Sequence, residues 1–235
     1  MLFTPKKHPL NWFQYDVAGS IELLEVYVSD IERQVENGIN SFKKNTKEIV
    51  VEPNHLEEDV RIVKTYSGLD DETWDLQSVF LKYYPSLQRR SALITLYSFF
   101  EHELNKVCSL FQQTENYKVS LGDISGKGIV QARTYLSKIA LLNLEQSEIH
   151  WKTVRDIQSV RNLLVHTDGK LDNLRHAALI QYINSSEFLD RDDEITIRNG
   201  YLHHVLSVFT AYFAQINDAI NHRYNAKQST QKDSK

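Results

Sequence analysis

An arginine and a histidine a few residues apart can do one kind of chemistry together. The guanidinium binds and stabilises a phosphate, while the imidazole moves a proton near neutral pH. This chain of 235 residues carries such a pair, Arg161 and His166, in the stretch 151–169, WKTVRDIQSVRNLLVHTDG. Trp151, Val154, Ile157, Leu164 and Val165 recur at helical spacing, which predicts an amphipathic helix with one face in a core. Gly169 ends it, as a residue able to adopt φ > 0 past the last turn. A helix advances about 100° per residue, so the two side chains lie about 140° apart. They converge best around a bound group or across a symmetric partner helix. His166 falls in the last turn, where the macrodipole favours a cation.

The spacing alone is not diagnostic, because the chain holds a second copy, Arg198-Asn199-Gly200-Tyr201-Leu202-His203. Asn199-Gly200 is a turn signal, so Arg198 is expected before the helix that carries His203. Other chemistries find less support. Gly126-Lys127-Gly128 departs from a phosphate-binding loop: Gly122 and Gly126 are separated by three residues rather than four, and Gly128 stands where Ser or Thr belongs. Lys118 and Lys127 remain able to touch RNA phosphates. The single Cys108 excludes an internal disulfide and a Cys-cluster zinc site, and its place on an apolar stripe suggests a buried, inert thiol. His203 and His204 are adjacent and cannot form an i, i+4 metal pair. No cofactor and no metal are expected.

These side chains must be positioned by helices. Met1–Tyr15 reads as an extended arm. From Asp16, a plausible N-cap, Val17, Ile21, Leu24, Val28, Ile31, Val35, Ile39 and Phe42 form a heptad-like seam, read as a long helix packed inward. Ile49-Val50-Val51 before Pro53 suggests a short extended piece. Residues 54–66 read as a charged helix on which His55 carries no role. Residues 68–72 break the pattern and mark the boundary between extension and core domain. Pro85 should interrupt or kink the next helix. Beyond it Leu87, Leu93, Leu96, Tyr97, Phe100, Leu104, Val107, Cys108 and Phe111 make the strongest apolar stripe, with Glu101 at its edge. Residues 129–142 form a helix with Arg133 and Lys138 outward, 172–185 another, Leu189–Glu194 an acidic loop, Ile195–Ile197 a short strand, and 201–222 the closing helix. The fold class is therefore all-α, a helical bundle of about five helices with a long N-terminal helical extension. Its parts are 1–70 (arm and extension), 71–224 (helical domain) and 225–235 (a polar tail expected to be disordered).

Arg161-Asn162-x-x-x-His166, followed by Thr167-Asp168-Gly169, resembles the signature of the HEPN superfamily, small all-helical domains found in toxins and anti-phage systems. The earlier helix SALITLYSFFEHELNKVC is similar to the other recurrent element of that superfamily, ending in the aromatic-plus-Glu step Phe100-Glu101. The likeness spans about residues 75–222 and leaves out the first seventy. It implies a metal-independent endoribonuclease that dimerises so that two Arg/His motifs line one cleft. Some members keep the fold without the activity.

Three functions follow. In the first, His166 handles the 2′-hydroxyl or leaving-oxygen proton and Arg161 stabilises charge on the phosphate. Asn162 then positions the pair or bonds the phosphate, and the resemblance implies a 2′,3′-cyclic phosphate product. Glu101 either orients Arg161 or is a solvated flank residue. The second function is a non-catalytic RNA- or nucleotide-binding module, and the third a dimerising partner protein. The expected partners are RNA, a second copy, and an antitoxin or neighbouring defence protein. A net charge of −4 confines RNA contact to a local basic site. No apolar run suits a signal peptide or a membrane span, so a cytoplasmic protein is expected.

Overall fold

Helix begins earlier than the sequence suggests, because Pro9 occupies a first-turn position and the ring nitrogen Nδ1 of His8 accepts the Leu10 N–H. In the computed structural model, which describes residues 7–51, 60–172, 175–192 and 194–232 (side chains to Lys227), α1 spans Pro9–Trp12. A π-helical turn, Phe13–Val17, joins it to α2, Ala18–Asn45. The arm expected over 1–15 is thus helical from Pro9, and Asp16 lies inside the π turn rather than capping a helix. Residues 1–6 lie outside the described residues.

The chain then forms β1 (Lys47–Val51), β2 (Arg61–Tyr66), β3 (Leu69–Asp70), α3 (Leu76–Ser78), a π turn (Val79–Tyr83) and α4 (Tyr84–Glu115). After these come α5 (Gly128–Lys138), α6 (Glu148–Thr167), α7 (Ala177–Ser185), β4 (Leu189–Arg191), β5 (Ile195–Ile197) and α8 (Tyr201–Lys232). The protein is mostly α, and the expectation of an all-α fold is corrected by two small antiparallel sheets.

The first sheet runs β1-β2-β3, with Lys47 opposite Thr65 and Val51 opposite Arg61. Residues 61–66 were expected to be helical. Ile62, Val63 and Thr65 are β-branched and pair with Val50, Ile49 and Lys47, and pairing overrides the charge pattern that suggested a helix. Ser67 (φ 50°) and Gly68 (φ 83°) supply the two positive-φ residues that a tight hairpin turn into β3 requires. Residues 52–59, with Pro53, His55 and the first half of that expected helix, lie outside the described residues. In the second sheet Leu189 faces Ile197, so part of the acidic loop is a strand. The cap of α3 is Asp75, whose carboxylate accepts the Ser78 N–H at 2.9 Å. Ahead of Pro85 the helix does not stop; it widens into the π turn, which removes the clash between a proline ring and the carbonyl four residues back.

By its contacts the chain forms two units: unit 1 is Met1–Tyr27, Leu93–Asn162 and Leu202–Lys235, and unit 2 is Val28–Ala92 and Leu163–Tyr201. The boundary expected near residue 70 falls inside unit 2. In unit 1, Phe100 stacks on Phe209 with centroids 4.1 Å apart, and Trp12 meets Phe213 edge-on at 5.4 Å. In unit 2, Phe42, Tyr66 and Phe80 form an aromatic cluster, and Arg89 forms a buried ion pair with Glu32 at 2.7 Å. The α2 seam is inward as expected: Val17 and Ile21 are buried in unit 1, and Val28, Val35 and Phe42 in unit 2. The last helix extends through Lys232, into the tail expected to be disordered. Tyr224 and Lys227 both bond Glu115 of α4, which anchors it there. Residues 233–235 are outside the described residues.

Candidate active site

The motif helix α6 forms because Val154, Ile157, Val160, Leu163 and Leu164 put one continuous apolar face inward, all of them buried. Trp151 is partly buried, and Val165, expected in the core, is 46% exposed. It lies about 100° round from Leu164, beyond the edge of the buried stripe. The helix ends as expected. Asp168 (φ 53°) and Gly169 (φ 84°) turn the chain, and the Gly169 N–H donates back to the Leu163 carbonyl at 3.3 Å.

Arg161 is partly buried in unit 1. Its guanidinium carbon lies 5.1 Å from the centre of the Tyr97 ring on α4, within the range of cation–π attraction. Nη1 donates to the Asn162 side-chain carbonyl at 3.1 Å. Nε is buried and has no hydrogen-bond partner among the described residues. Arg161 also lacks a carboxylate ion pair among those residues, so its charge is held by an aromatic face and a neutral amide. A guanidinium in that state is suited to an incoming anion.

Tyr97 was legible only as a core residue, and it is indeed 1% exposed. Gln158, one turn before Arg161, lies near its hydroxyl and opposes the rise in the phenol's pKa, and Gln158 accepts from Arg155 at 2.7 Å. Burial pushes the Tyr97 phenol up to about 12, and the charge of Glu101 adds to the effect. Neither Tyr97 nor Gln158 stood out as functional. The available signal was spacing: Gln158 is three residues before Arg161, and Tyr97 four before Glu101.

Glu101 is partly buried and makes no ion pair with Arg161 among the described residues. Its carboxylate instead packs at the start of α5, where Oε1 lies 2.5 Å from the position a Cβ on Gly128 would take. A helix N-terminus favours an anion, which accounts for the placement. Gly128 also has φ +59°, a conformation that favours glycine.

His166 belongs to unit 2. It is exposed in the last turn of α6 and has no hydrogen-bond partner among the described residues. The turn that follows it is fixed by Arg90, which is nearly fully buried. Arg90 donates to the Asp168 and Ile195 carbonyls and lies near the carboxylates of Asp168 and Glu194. Nothing in the sequence distinguished Arg90 from a surface arginine. In the second Arg/His copy, Arg198 precedes α8 and pairs with Asp190 on the surface, and His203 is exposed.

Two further side chains differ in standing. Cys108 is buried, its thiol contacts the Ala132 carbonyl at 3.6 Å, and burial pushes its ionisation up. Arg133, expected outward, packs over Trp151 and donates to the Tyr212 hydroxyl at 2.8 Å and to Ser147 at 3.1 Å. Lys118 and Lys127 are exposed. Among the described residues no cluster of three or more His, Cys, Asp or Glu is placed to hold a metal ion, and no helix is long and apolar enough to cross a membrane. No family model, curated protein or solved structure matches the chain.

Proposed function

We propose that the chain is an endoribonuclease of HEPN type, working in a toxin or defence setting and acting on RNA without a metal. In the reaction, the 2′-oxygen attacks the adjacent phosphorus and the 5′-oxygen leaves. A histidine takes the first proton or supplies the second, and Arg161 stabilises the charge on the phosphate. Asn162 holds Arg161 through its side-chain carbonyl, and the products are a 2′,3′-cyclic phosphate and a free 5′-hydroxyl.

The state of Arg161 supports this reading best: a partly buried cation, held by Tyr97 and Asn162, with a buried Nε that lacks a protein partner among the described residues. His166 supports it by exposure, since an acid–base group must reach the substrate. Its angle of about 140° from Arg161 along the helix favours a homodimer in which two motif helices share one phosphate. Glu101 makes no ion pair with Arg161 among the described residues, so this reading gives it no direct contact with the phosphate-binding group.

The test is incubation of purified protein with single-stranded RNA in EDTA, with product ends analysed for the cyclic phosphate. Uncut RNA at high protein concentration overturns the enzyme. One observation favours a second reading, a non-catalytic RNA-binding module with Arg161 as phosphate clamp: no described side chain orients the His166 ring. RNA bound but uncut in the same assay selects that reading.

A further inference from the structure

A cation that must receive a phosphate poses a problem of support. A carboxylate would fix a guanidinium firmly, but it would also occupy the paired N–H groups that phosphate needs and cancel the charge. An aromatic face supports the cation from one side and leaves its edge free. Arg161 has the second arrangement.

We propose that Tyr97 is a positioning residue for Arg161, its ring carrying the guanidinium. The proposal rests on the reading of Arg161 as the phosphate-binding group. The ring is 1% exposed, so it is a fixed platform rather than a mobile surface side chain. Phe209 meets it at 6.5 Å and 65°, which backs it within unit 1. Gln158 lies near the Tyr97 hydroxyl, and its side-chain carbonyl is held by Arg155, which donates to it at 2.7 Å. The phenol stays neutral across the physiological range, since burial and then Glu101 raise its pKa to about 12, so no phenolate competes with the substrate for Arg161.

The probe is a fluorescent single-stranded oligoribonucleotide with 2′-O-methyl riboses, which cannot be cleaved, so binding is read apart from chemistry. Arg161→Ala, Tyr97→Leu, Tyr97→Phe and Gln158→Ala are each measured, and the last three again as double variants with Arg161→Ala. Tyr97→Leu should weaken binding about tenfold, while Tyr97→Phe, which keeps the ring face, stays within about threefold of wild type. In the Arg161→Ala background Tyr97→Leu should have no further effect, since the group it positions is gone. A merely structural tyrosine would weaken binding equally in both backgrounds.

Should Tyr97→Leu not fold, Gln158→Ala, on the partly buried helix face, carries the test with an expected loss of about threefold that also vanishes with Arg161→Ala. Wild-type binding by both Tyr97→Leu and Gln158→Ala, with a loss from Arg161→Ala, overturns the positioning role and leaves the clamp standing. Wild-type binding by Arg161→Ala overturns the clamp itself.

Discussion

The indole N–H of Trp12 donates to the carboxylate of Glu103 at 3.0 Å in the interior of unit 1. Glu103 is 4% exposed, and its pKa is raised, first by burial; Lys106 and the Trp12 bond oppose the shift. A carboxyl with a raised folded-state pKa binds more protons folded than unfolded. Its contribution is fully present below the unfolded value near 4.5 and is lost as pH rises through the folded value. Glu103→Gln keeps an acceptor for Trp12 and should therefore melt higher than wild type at pH 7. The gap should close on acidification toward the unfolded value. A gap that widens on acidification would contradict the sign.

His166→Ala should lower RNA cleavage by about 10²–10⁴-fold. Stability should hardly change, because the ring is exposed and unbonded among the described residues. Cleavage rates beside thermal melts give the answer, and wild-type cleavage by a stable variant removes the histidine from the reaction.

The two Arg/His copies should separate cleanly. Arg161→Ala should abolish cleavage, whereas Arg198→Ala loses only a surface pair with Asp190 and should cost at most about 1 kcal/mol of stability. Equal loss of activity from both would show that Arg198 is not a decoy.

Gly169→Ala should destabilise by about 1–3 kcal/mol, since an alanine there is strained at φ +84°. Its Cβ would also come within 3.1 Å of Ile195 Cγ2 and 3.2 Å of Arg90 Nη2. Gly38→Ala is the control: no atom lies within 4 Å and its helical φ is ordinary, so it should be neutral or stabilising. Urea melts of the two variants compare them directly.

Light scattering at micromolar concentration should report a homodimer, with an interface of at least about 1,000 Å² if it is specific. Paired arginines and histidines repel when the cleft is empty, so RNA should tighten the dimer. A monomer in both conditions removes the shared cleft.

The elements that carry long helical periodicity were legible. The α2 seam, the α4 stripe and the end of α6 at Gly169 all follow from spacing and one turn residue. Residues 61–66 were misread as the end of a charged helix over 54–66, because a stretch with so few apolar positions carries no clear period, and pairing with 47–51 decides. Arg161 and Asn162 could be read from the chain because they are neighbours on one helix. The Tyr97 contact could not, since a buried tyrosine in an apolar stripe looks the same whether or not a guanidinium lies on its face. The surroundings of Glu101 and Arg133 were not legible for a related reason. The position of a charged side chain at a helix edge depends on what the other elements bring to it: the start of α5 for Glu101, Trp151 and Tyr212 for Arg133.

The segments of unit 1 come from the beginning, the middle and the last stretch of the sequence, and this bears on synthesis. Phe209, which backs Tyr97, and Phe213, which meets Trp12, both lie in Leu202–Lys235. At about 5–20 residues per second, that stretch takes roughly 2–7 s to emerge. Until it does, the aromatic platform under Arg161 lacks its backing. A nascent or prematurely terminated chain therefore carries the whole Arg/His motif without the packed interior that holds the arginine in place. If the proposed reading holds, such a chain would not cut the messenger from which it is being translated.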